Sequence, residues 1–79
     1  MKTRPTPQNQ QKRFEIIATY LREIRLNENM TQGEVSLETG LNRNTIYRIE
    51  GAKNYSVQTL FVLADLYQIS PSEIFSILD

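Results

Sequence analysis

The chain has 79 residues, with 9 Lys+Arg against 9 Asp+Glu, no Cys and no His, and that length holds one small domain. Without Cys or His there is no disulfide framework, thiolate nucleophile, imidazole base or His-liganded metal, and 3 Gly are too few for a phosphate-cradling loop. A net charge of zero counts, at first sight, against a nucleic-acid partner, because such binders usually carry a basic excess.

Residues 1–11, MKTRPTPQNQQ, hold Pro5 and Pro7 among polar residues and show no apolar repeat. They read as a flexible N-terminal arm, or else as a basic arm touching phosphate through Lys2 and Arg4. Residues 12–79 read as the domain. Phe14, Ile17, Ala18, Leu21 and Ile24 recur at helical spacing, so a first helix is expected to run to about Glu28. Asn29 closes it, since Asn tolerates a left-handed backbone.

Thr31 opens a second helix, and Glu34 three residues on completes a capping box. Val35 and Ser36 are its inward positions, and Gly40 ends it. Asn42 caps a third helix, Arg43 to Glu50. Only Gly40-Leu41-Asn42 separates the two, which describes a helix-turn-helix. Gly51 to Tyr55 is a loop. Ser56 caps a fourth helix with Leu60, Leu63, Ala64 and Tyr67 on one face. Ser70 caps a fifth, with Pro71 at its first position and the body at Ser72 to Leu78. No segment alternates with period two. The fold class is therefore all-α, a compact bundle of five short helices. The polar start has no apolar core of a signal peptide, and no apolar run nears the roughly 18 residues of a membrane span. A cytoplasmic protein is expected.

On the third helix, Ile46 and Ile49 point one way and Arg43, Asn44, Tyr47 and Arg48 the other. The outward stripe offers two guanidinium groups, an amide and a phenol. Arg pairs with guanine O6 and N7, Asn with adenine N6 and N7, and the Thr45 methyl or the Tyr47 ring meets a thymine methyl. A solvated face also carries Arg and Asn. The helix-turn-helix context favours the reading of base edges.

Residues 21–50, LREIRLNENMTQGEVSLETGLNRNTIYRIE, resemble the phage repressor and lambda Cro class of helix-turn-helix proteins. The shared frame consists of Leu21, Arg25, Thr31-Gln32, Gly40, Arg43, Thr45-Ile46 and Ile49-Glu50. Thr59-Leu60, Leu63-Ala64, Ile69-Ser70 and Glu73-Ile74-Phe75 resemble the family's last two helices, so the likeness spans about residues 13–78. It implies a lambda repressor-like fold and a homodimer on a near-palindromic operator, with the third helix in the major groove. Arg43, Asn44, Thr45 and Arg48 match base-reading or base-adjacent positions. Tyr47 is bulky for its site and either reads DNA or leans on Arg43 and Arg48. Gln32 and Asn42, at helix starts, and Lys53 and Asn54, in the loop, match positions that contact phosphate. Gln32 is also placed to brace Arg43. Arg25 and Glu50 match a structural ion pair. The sequence departs from the family pattern at three places: Ser36 stands for a small Ala, Asn29 for Gly, and Gly51-Ala52 for a polar residue followed by Gly. The loop to the fourth helix looks one residue shorter than the commonest form.

Glu34 and Glu38 lie four apart, a solvated face and not a metal or acid/base pair. Phe61, Tyr67 and Phe75 are assigned to the core in preference to the lining of a ligand pocket. The segment Ile74-Phe75-Ser76-Ile77-Leu78 holds more apolar residues than one face absorbs, so Ile74, Phe75, Ile77 and Leu78 are assigned to a dimer interface.

The expected function is a sequence-specific DNA-binding transcriptional regulator with no catalytic activity, no cofactor and no metal. An antitoxin-like or other protein-interaction module, with a toxin or another protein as partner, is the alternative. Charge placement answers the opening objection. Residues 1–53 hold all nine bases against six acids, for +3, and residues 54–79 hold three acids and no base, for −3. Zero is the sum of a basic part that faces DNA and an acidic part that faces a partner subunit or solvent.

Overall fold

Thr6 and Pro7 start the first helix. The Thr6 hydroxyl accepts from the Asn9 amide at 3.3 Å, and Pro7 takes a position where no N–H is needed. In the computed structural model, which describes residues 6–78, this helix is α1, Pro7–Asn27. It begins five residues before position 12. Residues 7–11, assigned to the arm, form its opening turns; they are polar because nothing covers most of them, not because they lack structure. Lys2 and Arg4 lie outside the described residues. The end falls where expected, with Asn29 left-handed at φ 57°.

Four shorter helices follow: α2 Gln32–Thr39, α3 Arg43–Glu50, α4 Val57–Tyr67 and α5 Pro71–Ser76. Among the described residues there is no strand. Each boundary has a local cause. Both halves of the capping box form, with the Glu34 amide donating to Thr31 Oγ1 at 3.0 Å and the Thr31 amide donating to Glu34 Oε1 at 2.9 Å. Glu34 is thus a capping residue. Gly40 at φ 75° closes α2. The Ser36 hydroxyl donates to the Leu41 carbonyl at 2.6 Å, so the hydroxyl that replaces a methyl ties down the turn. Asn42 Oδ1 accepts from the Asn44 amide at 2.7 Å to start α3. Ser56 and Ser70 cap α4 and α5. The last helix stops at Ser76, short of Leu78, and Gln68 closes α4 in the left-handed region at φ 57°.

The core gathers Ile17 and Leu21 of α1, Val35 of α2, Ile46 and Ile49 of α3, Leu60, Leu63, Ala64 and Tyr67 of α4, and Ile74 of α5. Leu21, Ile46, Ile49, Leu63, Ile74 and Val35 are the largest fully buried side chains. Truncating any of these Leu or Ile residues to Ala costs about 2–5 kcal/mol. A chain of this size has about 4–12 kcal/mol in total. The core is therefore small, and every helix contributes to it.

Two assignments need correction. Phe61 and Phe75 are 42% and 44% exposed, outside the core. On α4, Leu60, Leu63, Ala64 and Tyr67 already fill the inward face, and Phe61 points away from it. Ile74 is 0% exposed within the single chain and has no surface to offer a partner subunit. Leu78 packs partly against the core one turn beyond, so the inward face of this segment is Ile74 and Leu78, with Phe75 outside.

Candidate nucleic-acid interface

Ile46 and Ile49 are fully buried, and three-residue spacing puts them on one face of α3. That anchoring decides what the helix presents. Asn42, Arg43, Asn44, Tyr47 and Arg48 are exposed, and Thr45 is half-buried at the edge of the packed face. Tyr47 stands 63% exposed, so its ring adds nothing to the core. The outward stripe expected from spacing alone is therefore a surface in the fold.

Arg43 has a specific resting place. Its guanidinium lies over Gly33, in the first turn of α2, where any added Cβ would collide with Nη2. Gly33 leaves room for this side chain to cross the helix start. Composition carried no signal for this role, because the pairing joins residues ten apart through the turn. Gln32 does not brace Arg43 here. Its side-chain amide donates to Glu50 Oε1 at 3.1 Å.

Glu50 is the junction of three elements. Its carboxylate accepts from Arg25 Nε at 2.7 Å and Arg25 Nη2 at 2.9 Å, a two-pronged pair, and from Gln32. Arg25 Nη1 also donates to the Met30 carbonyl at 2.8 Å. Both side chains are nearly out of water, at 10% and 5% exposure. Glu50 sits at the C-terminal end of α3, where the helix dipole disfavours an anion, and Arg25 sits in the last turn of α1, where the dipole favours a cation. Hydrogen bonding to Glu50 raises the Arg25 guanidinium above its ordinary value, against the opposing effect of burial. Burial pushes the nearby Tyr67 phenol up to about 12; the Glu50 charge adds to this and the Arg25 charge opposes it. The pair fixes the end of α1, the start of α2 and the end of α3 relative to one another.

The loop beyond α3 runs beside this face. The Lys53 amide donates to the Arg48 carbonyl at 2.8 Å, and Arg48 Nη2 reaches the Asn54 carbonyl at 3.4 Å. The side chains of Lys53 and Asn54 are exposed. Ala52 takes the left-handed turn at φ 59°, a conformation that favours Gly, while Gly51 keeps an ordinary φ of −94°. That conformation costs a non-glycine residue about 1–2 kcal/mol. The Gln11 side chain, also unforeseen, donates to the Ala52 carbonyl at 3.2 Å.

A profile of the helix-turn-helix family, of the Cro/C1 type, matches residues 21–74. The chain belongs to that family. The match covers the end of α1 and all of α2, α3 and α4, and leaves out Gln11 and Phe14. No curated protein matches the chain. Among solved structures, a point mutant of C.Esp1396I bound to its highest-affinity operator site is similar at a TM-score of 0.72 and 24% identity, over 84% of this chain and 88% of that one. A second structure of such a mutant, named as a restriction–modification controller protein, gives 0.71 and 24% over 84% and 85%. Likeness at this identity establishes the fold.

No helix among the described residues is long and apolar enough to cross a membrane. No group of three or more His, Cys, Asp or Glu among them could hold a metal ion.

Proposed function

We propose that this chain is a sequence-specific DNA-binding transcriptional regulator that lays α3 in the major groove. The observation that carries this is the division of α3 into a buried face, Ile46 and Ile49, and an exposed face of Arg43, Asn44, Tyr47 and Arg48. Arg43, Asn44, Tyr47 and Arg48, with Thr45 at the margin, read base edges. Arg43 is the principal reader, because a two-pronged pairing with guanine is the commonest specific contact. Gln32 and Asn42 at helix starts, and Lys53 and Asn54 in the loop, face phosphate. The similar controller protein held on its operator supports the reading.

The chain acts as a homodimer on a near-palindromic site. One α3 spans only a few base pairs, and a two-fold pair reads two half-sites. Support comes from Phe61, Phe75 and Val57, which leave apolar surface exposed on α4 and α5. With Ile74 and most of Leu78 taken by the core, Phe75 and Ile77 remain from the segment assigned to the interface.

Selection of bound duplexes from a random pool tests this. The expected result is a two-fold related sequence with half-sites spaced by about one helical turn or a multiple of it. Arg43→Ala should weaken binding to the selected site by about 1–3 kcal/mol and relax one base position. Failure to enrich any sequence, or full affinity and preference in Arg43→Ala, refutes the assignment.

A further inference from the structure

The loop proposed to face phosphate is not self-supporting. Its turn places Ala52 in a left-handed conformation that favours glycine, with the methyl group buried. Within α3 and the loop, Ala52 and Lys53 are tied only through their amides, to the Ile49 and Arg48 carbonyls at 3.2 and 2.8 Å. Arg48 Nη2 of α3 adds a long contact to the Asn54 carbonyl at 3.4 Å, and the remaining hold comes from the far end of the sequence. Gln11 Nε2 donates to the Ala52 carbonyl across 41 positions, at 3.2 Å. One turn further along α1, Phe14 meets Tyr55 edge to face, with ring centroids 5.4 Å apart and planes at 69°. Residues three apart share a helix face, so one face of α1 grips the loop at Ala52 and at Tyr55. Lys53 and Asn54 lie between the two grips.

We propose that the opening turns of α1 are a strut that sets the phosphate-facing loop, with Gln11 and Phe14 as positioning residues for Lys53. This rests on the DNA-binding reading above. The strut places the Lys53 ammonium before DNA arrives, so binding does not have to order the loop. Gln11 and Phe14 lie before the segment, residues 21–74, that matches the family.

Gln11→Ala removes the grip at an exposed helix position where Ala is a better helix former than Gln, so the fold is not at risk. Two readouts are taken on the full chain. In the free protein, the Ala52 and Lys53 amides should exchange with deuterium about three- to ten-fold faster, the equivalent of one ordinary hydrogen bond. On the duplex selected by the wild-type chain, Gln11→Ala should weaken binding about three- to ten-fold and shallow the salt dependence by about one phosphate contact. In a Lys53→Ala background the Gln11→Ala effect should fall below about two-fold, since the group it positions is gone. Phe14→Leu, which keeps apolar bulk and loses the ring edge, should act in the same direction. Unchanged exchange rates overturn the strut. Equal losses with and without Lys53 overturn its link to phosphate binding. A wild-type chain that selects no duplex removes the DNA reading and the phosphate role with it, while the exchange data still show whether α1 holds the loop.

Discussion

Replacing Glu50 with Ala should be among the most damaging single changes outside the apolar core. The carboxylate accepts three hydrogen bonds, at 2.7, 2.9 and 3.1 Å, two of them from a guanidinium that is itself almost out of water. Removing it leaves the Arg25 charge facing the Met30 carbonyl, which accepts from Nη1 at 2.8 Å, with no carboxylate beside it. Loss of one partner from a buried pair costs about 3–5 kcal/mol, mostly the desolvation of the charge left behind. Slight residual exposure of Arg25 lets water return at its edge, which favours the lower end of that range. Against about 4–12 kcal/mol for the whole chain, the loss is a large fraction. At about 4–8 °C per kcal/mol, a loss of about 3 kcal/mol lowers Tm by some 12–24 °C. Urea and thermal unfolding followed by circular dichroism at 222 nm measure it directly. The paired change Arg25→Met with Glu50→Leu should recover most of the loss, because apolar groups of similar size leave nothing unpaired. The coupling energy from that cycle should exceed about 2 kcal/mol. A loss below about 1 kcal/mol in Glu50→Ala, or additive single changes, would refute the argument that the pair locks the bundle.

Other outcomes follow from particular contacts. Gly33→Ala should raise or preserve stability, since Ala is the better helix former by about 1 kcal/mol, yet weaken the base preference that belongs to Arg43, whose guanidinium it displaces; unchanged preference in a selection experiment would show that the resting place of Arg43 is immaterial. Tyr67, held at about 12 instead of 10, is favoured in its neutral form when folded, so its stabilisation is complete below pH 10 and is lost as pH rises from 10 to 12. The loss amounts to roughly 2–3 kcal/mol, and it should be absent from Tyr67→Phe in alkaline unfolding titrations compared with wild type. Phe75→Ser with Phe61→Ser, at two exposed positions, should leave the unfolding midpoint of the isolated chain little changed while shifting the sedimentation profile from dimer toward monomer; an unaltered profile would move the interface elsewhere.

Helix boundaries were legible in the sequence wherever a polar cap stood next to an apolar repeat. Thr31 with Glu34, Gly40, Asn42 and Ser56 each place a boundary that the structure keeps. The start of α1 escaped because the periodic signal begins at Phe14, after the helix is already two turns old. Its cap and proline, Thr6-Pro7, form the same kind of signal as Ser70-Pro71, but no apolar repeat beside them gave it weight. The outward stripe of α3 was legible because Ile46 and Ile49 leave its opposite side no choice. The exposure of Phe61 and Phe75 was not, since an apolar residue beside a full core face reads like one inside it. Contacts made through space left no local trace at all: Gln11 to Ala52, Arg43 over Gly33, and Gln32 to Glu50 join residues from different elements.

Helix α3 divides its labour cleanly. Ile46 and Ile49 hold it in place and Glu50 locks its end, while Arg43, Asn44, Tyr47 and Arg48 add almost nothing to the packed interior. The side chains proposed to choose a DNA sequence are therefore free of the duty of keeping the protein folded. Substitution at those four positions tests a new target with little risk of losing the scaffold, and surface changes of that kind are usually within about 0.5 kcal/mol of neutral. Such a helix can drift from one binding site to another by single steps, each intermediate still a folded protein. Arg43 is the one of the four whose guanidinium also rests on another helix, over Gly33 of α2.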